Sequence, residues 1–255
     1  MEFSHLSSTV SVKTVSEDAK RGVFDIEGLY AGYGLTVGNA LRRVLLSSLP
    51  GAAVTEIKVK GVSHEFSTMS GLREDIVELS LNFKKLRFVS HSDEPQVLAL
   101  KVKGDREVTG ADIELNANVA LMNPEEVLAH LTEKSAELDI EVKVERGLGY
   151  VPVEARRQEG GRTAIGTIAI DAIFTPVQRV NYTIEDMRVG DRTDYNRVRL
   201  EIETDGTVSP SSALHKAAKI LEDHFVKVTE IEVKTFEEAE PGEGKKRASK
   251  KKKEE

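Results

Sequence analysis

The sequence predicts an α+β fold in which a two-layer α/β domain, built from both termini, holds an inserted β-rich domain. Three observations carry this reading. Long stretches alternate apolar and polar residues with period two. Two amphipathic helical patterns stand one near each end of the chain. Between them strand patterns dominate, with one shorter helix. The expected boundaries are 1–50 with 175–235 for the first domain, 51–174 for the insert, and 236–255 for a charged tail. An apolar fraction of 39 % over 255 residues is enough for a sizeable core and argues against a wholly disordered chain. The absence of cysteine excludes disulfides, cysteine–zinc sites and thiol nucleophiles. No window approaches about 18 continuous apolar residues, and MEFSHLSSTV lacks a secretory pattern, so the expected compartment is the cytoplasm. A net charge of −7 argues against the whole surface being a nucleic-acid platform.

Residues 23–27 read as a short strand, followed by the glycine-rich turn LYAGYGLTVGN. A helix is expected from Val37 to Leu49, capped by Thr36 and stopped by Pro50-Gly51. AAVTEIKVK (52–60) alternates as a strand, and HEFSTMSG is a polar turn. LREDIVELSLNFKKL places Leu72, Ile76, Leu79 and Phe83 at helical spacing. QVLALKVKG and AELDIEVKVERG alternate strongly, with an irregular polar stretch, Asp105 to Leu131, between them. GTIAIDAIF reads as one apolar strand ended by Thr175-Pro176. RVNYTIEDMRV and NRVRLEIETDG form a second alternating pair. Ser209-Pro210 opens a helix running to Val228, and TEIEVKTF is expected to close the fold as a strand. The final 19 residues hold seven Lys/Arg and six Glu without apolar periodicity, which predicts disorder.

No catalytic constellation emerges. The six histidines form no close ligand set, and HEFST lacks the second histidine of a zinc-binding helix. There is no GxSxG elbow. Gly32-Tyr33-Gly34 precedes a helix, but position 37 is valine, so the dinucleotide spacing is missing. Glycines here more simply permit a tight entry into the helix.

The helical faces are more informative. On the first helix Val37, Ala40, Leu41, Val44, Leu45 and Ser48 share one face, while Leu46 falls opposite, flanked by Asn39, Arg42 and Arg43. That far face is either a lone exposed leucine or a protein interface with an aliphatic anchor and arginine donors. On the last helix the apolar residues, Leu214, Ala217, Leu221 and Phe225 among them, cover an arc too wide for one sheet. It is either a deeply buried helix or one packed on both its sheet and a twin subunit.

LTVGNALRRVLLSSLPG (35–51) resembles the first helix of the amino-terminal region of bacterial-type RNA polymerase alpha subunits. The similarity continues through 54–86, VERGLGYVPVEAR (144–156), 166–210 and ALHKAAKILEDHF (213–225), covering residues 1–235. The resemblance implies a non-catalytic homodimer that scaffolds the beta and beta-prime subunits, with its dimerisation domain drawn from both termini. It implies no cofactor in this chain, with catalytic magnesium held by the large subunits. It places Asn39, Arg42, Arg43, Leu46, His64, Glu65 and Arg73 on the beta-subunit side. Arg188, Asp191, Arg192 and Asp194 fall at a large-subunit interface, and Leu41, Leu45, Leu214, Ala217, Leu221 and Phe225 at the dimer interface. The chain departs from the family pattern at Gly28, Tyr30, Ala31 and Asn196. The sequence is expected to lack the family's carboxy-terminal DNA-binding domain, either natively or by truncation, so DNA contact is expected mainly through the assembled complex. Weak, sequence-independent contact through the lysine-rich tail is the addition. A small-molecule enzyme and a nucleic-acid module are the competing readings, the second supported only by that tail.

Overall fold

The computed structural model describes residues 8–158 and 166–232 as a mixed α+β fold made mostly of strands. β1 (Ser11–Glu17) and β2 (Arg21–Leu29) form an antiparallel hairpin that leads into α1 (Tyr33–Ser47). The chain then enters β3 (Pro50–Val59), α2 (Ile76–Phe83), β4 (Phe88–Ser90), β5 (Gln96–Lys103) and β6 (Arg106–Thr109). β7 (Ile113–Glu114), β8 (Val119–Leu121), β9 (Val127–Leu131) and β10 (Glu137–Leu148) follow. Next come β11 (Tyr150–Val151), α3 (Val153–Gln158), β12 (Thr167–Ala169) and β13 (Ala172–Ile173). The long hairpin β14 (Val177–Val189) and β15 (Arg192–Thr204) leads to α4 (Pro210–Thr229).

Both termini feed one antiparallel sheet of order β1-β2-β15-β14. Period-two alternation sends Phe24, Ile26, Val180, Val198, Leu200 and Ile202 to one face, where α1 and α4 cover them with Leu41, Leu45, Ala213, Leu214 and Ala217. The opposite face carries charge. Arg199 forks onto Asp25 at 2.9 Å through each of two nitrogens, and Glu27 takes Lys13 at 2.5 Å and Arg197 at 3.1 Å. The fork from Arg199 holds the Asp25 carboxyl below the ordinary carboxylate range, against burial, which pushes it up.

The chain between β3 and β13 builds a second, larger core. Its main sheet has the order β7-β5-β10-β3-β4-β8, with β12 also paired to β3. Ile57, Leu98, Leu100, Leu138, Ile140 and Val142 meet Ile76, Leu79 and Phe83 of α2 inside it. Asp75 caps α2 by accepting from the Glu78 backbone N–H at 2.7 Å. At the crossing between the two units, Ala53, Ala172 and Phe174 form a small third cluster. A Cβ at Gly51 would lie 1.8 Å from the Phe174 carbonyl, so only glycine fits that passage. Arg87 and Asp205 add an ion pair at 3.9 Å across the same seam.

Several local expectations change. α1 starts at Tyr33, four residues before the expected start, and Thr36 lies inside it rather than capping it. The cap residue is Gly32 in the left-handed region, φ +83°, which glycine adopts without a Cβ penalty. The stretch 105–131 holds four short strands, β6 to β9, each too brief to show a period. GTIAIDAIF is split into β12, which pairs with β3, and β13, which pairs with β11. Asp171 lies between them and accepts from the Val153 N–H at 3.1 Å. β1 has no counterpart among the expected elements; all seven of its residues are exposed, so it carries no apolar stripe. The expected closing strand fails at its start, because Thr229 ends α4 and the Ile231 N–H closes a turn on Val228. Its remainder, and the whole tail from 236 onward, lie outside the described residues.

Candidate functional site

α4 divides into two halves. Ala213, Leu214 and Ala217 are buried against the first sheet, and Ile220 and Leu221 are half-buried. Every residue from Glu222 to Glu232 is exposed. Phe225 (62 % exposed), Val226, Val228 and Ile231 therefore stand in solvent, on or just past the distal half of a twenty-residue helix. Leu221, Phe225 and Val228 recur at helical spacing, a seam that packs on the core at Leu221 and is exposed at Phe225 and Val228. Beside the buried half runs an open groove of about 350 Å³, lined by Val12, Phe24, Ile26, Leu41, Leu214 and Ala218 among others.

The residues expected at a dimer interface thus fall into two classes. Leu45 and Ala217 are fully enclosed in their own core, and Leu41 and Leu214 are nearly so. Within the chain these four hold α1 and α4 on the sheet, and Leu41 and Leu214 also line the groove. Leu221 and Phe225 keep accessible surface. Sequence periodicity groups all six because they share helical arcs; it does not show where the supporting sheet ends.

On α1, Asn39 and Arg43 are exposed. Arg42 is also exposed, yet its Nε donates to the Val180 carbonyl at 3.4 Å and so covers part of the open edge of β14. Leu46 does not stand opposite the core as the wheel implies. It is half-buried and packs against the first core, because β14 runs along that side of the helix.

The β14–β15 tip carries Arg188, Asp191, Arg192 and Asp194. Arg188 and Asp191 are highly exposed and 4.0 Å apart. Arg192 is engaged inside the chain: it forks onto Asp194 at 3.0 and 2.6 Å and lies over the rings of Tyr30 and Tyr195 at 4.7 and 5.4 Å. The Arg192 guanidinium holds the Asp194 carboxyl below its ordinary range. Tyr30 meets Tyr33 and Tyr195 edge-on, so the tip is pinned to the entrance of α1.

In the larger unit, His64 and Glu65 occupy an exposed turn closed by the Ser67 N–H on the His64 carbonyl and by a 3.1 Å contact of Ser67 Oγ with His64 Nδ1. Phe66 at its tip is 79 % exposed. Arg73 is exposed, and its backbone N–H donates to the His130 carbonyl. Next to it Glu74 accepts from the His130 backbone N–H at 2.8 Å and touches the ring Nδ1 at 2.5 Å. Burial pushes the Glu74 carboxyl up, but these bonds outweigh it and hold the group below its ordinary range. Phe66 is reached in the sequence only through the resemblance that marks its loop, His64 to Thr68, and the Glu74–His130 clasp is not visible there at all. An apolar residue in a polar turn gives no periodic signal, and the clasp joins residues 56 positions apart.

Among the described residues no group of three His, Asp or Glu side chains is placed to hold a metal ion, and no helix is long and apolar enough to cross a membrane. Comparison with known proteins gives the family. Residues 56–175 match the RNA polymerase Rpb3/RpoA insert domain, a stretch running from within β3 to just past β13. The chain is 45 % identical over 239 residues to the DNA-directed RNA polymerase subunit alpha of Symbiobacterium thermophilum, covering 92 % of this chain and 75 % of that one. It is 48 % identical over 208 residues to the same subunit of Moorella thermoacetica, covering 82 % and 66 %. With that of Syntrophomonas wolfei it shares 49 % over 219 residues, covering 86 % and 68 %. The chain thus spans about two thirds to three quarters of the length of these relatives. With such identity along most of its length, the chain belongs to the family of DNA-directed RNA polymerase alpha subunits.

Proposed function

We propose that this chain is the assembly scaffold of a DNA-directed RNA polymerase: it homodimerises and then engages the beta and beta-prime subunits, while itself doing no catalysis. The observation that carries the reading is the exposed distal half of α4, with Phe225 and Val228 in solvent, together with the apolar groove beside the helix's buried half. Exposed apolar seams of this kind favour burial against another chain. A two-fold axis would let each copy lay its distal helix along the other's groove, an isologous contact. The groove's small Ala218 and the flat faces of Val12 and Ile26 offer room for a ring such as Phe225.

The large subunits are then expected on the outer features: Asn39 and Arg43 of α1, Arg188 and Asp191 at the hairpin tip, and the His64–Phe66 turn with Arg73. Arg42 and Arg192 brace these surfaces through their internal bonds while keeping exposed surface of their own. Magnesium and nucleotides belong to the large subunits in this reading, DNA is met through the assembled complex, and the compartment is the cytoplasm. Two measurements test it. Light scattering at micromolar concentration should give about twice the mass of the 28.1 kDa chain. Capture of purified beta by the dimer should fall on Arg43→Ala without loss of the dimer. A monomeric chain, or capture indifferent to every outer residue named, would overturn the scaffold reading.

A further inference from the structure

Asn196 occupies an unusual position. It is one of the few buried polar residues, 8 % exposed, and sits on β15 beside a break in that strand's register with β2. Its Oδ1 accepts from the Gly32 N–H at 2.9 Å and from the Gly34 N–H at 3.3 Å. These amides stand at the start of α1, whose own cap residue offers no side chain. Its Nδ2 donates to Asp186 Oδ1 at 3.1 Å, directly across the β14–β15 ladder. One amide therefore fastens the start of a helix to a hairpin more than 160 residues away in sequence. The approach is tight: a Cβ at Gly34 would meet Asn196 Cβ at 3.0 Å and Ile184 at 3.1 Å.

The chemistry selects an amide. A carboxylate could accept from Gly32 and Gly34 but has no proton to give Asp186, whereas the amide donates its N–H there and keeps its oxygen for both. An aspartate here would set two carboxylates face to face. The joint has a second fastening, since Arg192 of the same hairpin stacks over Tyr30 just before α1.

We infer that Asn196 is a positioning residue that locks α1 and the β14–β15 tip into one rigid surface, so that Asn39 and Arg43 on the helix and Arg188 and Asp191 on the tip meet a large polymerase subunit in fixed register. This rests on the scaffold reading above. A preformed surface avoids the ordering cost that binding would otherwise carry.

The test exchanges the amide and the carboxylate. It uses the full-length dimer and purified beta subunit, titrated side by side for wild type, Asn196→Asp, Asp186→Asn and the Asn196→Asp/Asp186→Asn double variant, with Arg43→Ala as reference. Asn196→Asp should keep the dimer but weaken beta about tenfold and speed hydrogen exchange at Gly32 to Leu35. The double variant should return to within about twofold of wild type. In it the carboxylate, moved to position 196, accepts from the helix amides and from the side-chain amide moved to position 186. Should Asn196→Asp not fold, Asp186→Ala replaces it: an exposed strand residue is lost, the cap acceptor stays, and beta should weaken several-fold. Undiminished beta affinity in a folded Asn196→Asp or Asp186→Ala dimer, while Arg43→Ala lowers it, overturns the positioning role and leaves the scaffold reading standing. A double variant that folds but does not recover also overturns it. Indifference of both Arg43→Ala and the Asn196 series overturns the scaffold reading and this inference with it.

Discussion

The two cores of the molecule are closed to different degrees. The larger one, between β3 and β13, encloses Ile57, Ile76, Leu79, Phe83, Leu100, Leu138 and Ile140 completely. Its solvent face is laced with exposed pairs such as Lys58–Glu141 and Lys103–Glu137, which contribute little each but keep the surface wet. The smaller core, on the sheet from both termini, encloses Leu45, Val198 and Ala217 equally well but leaves the distal half of α4 uncovered. An α/β layer needs its helices covered along the whole apolar stripe, and here the sheet ends before the helix does. The comparison teaches where stability and association would separate: substitutions in the larger core are expected to act on folding, and those on distal α4 on the proposed assembly.

The largest expected effect tests the closed core. Phe83→Ala removes a fully buried ring and should destabilise the chain by about 3–5 kcal/mol in urea unfolding. A loss below about 1 kcal/mol would mean that this core repacks and is less closed than described. Next comes the open side. Phe225→Asp leaves the protomer fold intact, because the ring is in solvent, but should weaken the proposed dimer by about 2–4 kcal/mol as a buried anchor would. Sedimentation at micromolar concentration reads it. An unchanged dimer breaks the contrast between the two units.

A smaller effect is expected at Asp25, on the charged face of the terminal sheet. Asp25→Ala strands the Arg199 fork and should cost about 2 kcal/mol near neutral pH. The sign with pH follows from linkage. The folded carboxyl is held low, so the unfolded chain takes up the proton more readily. The stabilisation is present above the ordinary carboxylate pKa of about 3.9 and drains as pH falls through the lower folded value. The gap between variant and wild type should therefore close in acid, and a gap constant from about pH 7 to about pH 2 would show that the ion pair is not its source. The smallest effect is Asp75→Ala at the start of α2, about 1 kcal/mol for the lost cap. Thermal unfolding reads it, and it should leave dimer and beta capture untouched.

The elements legible in the sequence share a cause. β3, β5, β10, β14 and β15 each have one face in a core, so period two is written into them. α2 announces itself through its apolar spacing, and α4 through its local cap, Ser209-Pro210, as well as its spacing. β1 is not legible because an edge strand exposed along its length has no pattern to keep. Family resemblance points to α1 and the hairpin as contact segments. It does not show that Arg42 and Arg192 are engaged in internal bonds, which depends on where β14 and Tyr30 lie in space.

The sequence by itself therefore determined the α+β class, the helices at both ends, the alternating strands and the family. The tertiary structure alone decided which of the six apolar residues on α1 and α4 are core and which are surface. It also decided that Thr36 is not a cap. Helical period reports which residues share a face, whereas burial depends on how far the neighbouring sheet extends. Capping is local in most helices. For α1 the acceptor is Asn196, brought to Gly32 and Gly34 only when β2 and β15 pair, and no spacing along the chain encodes that meeting.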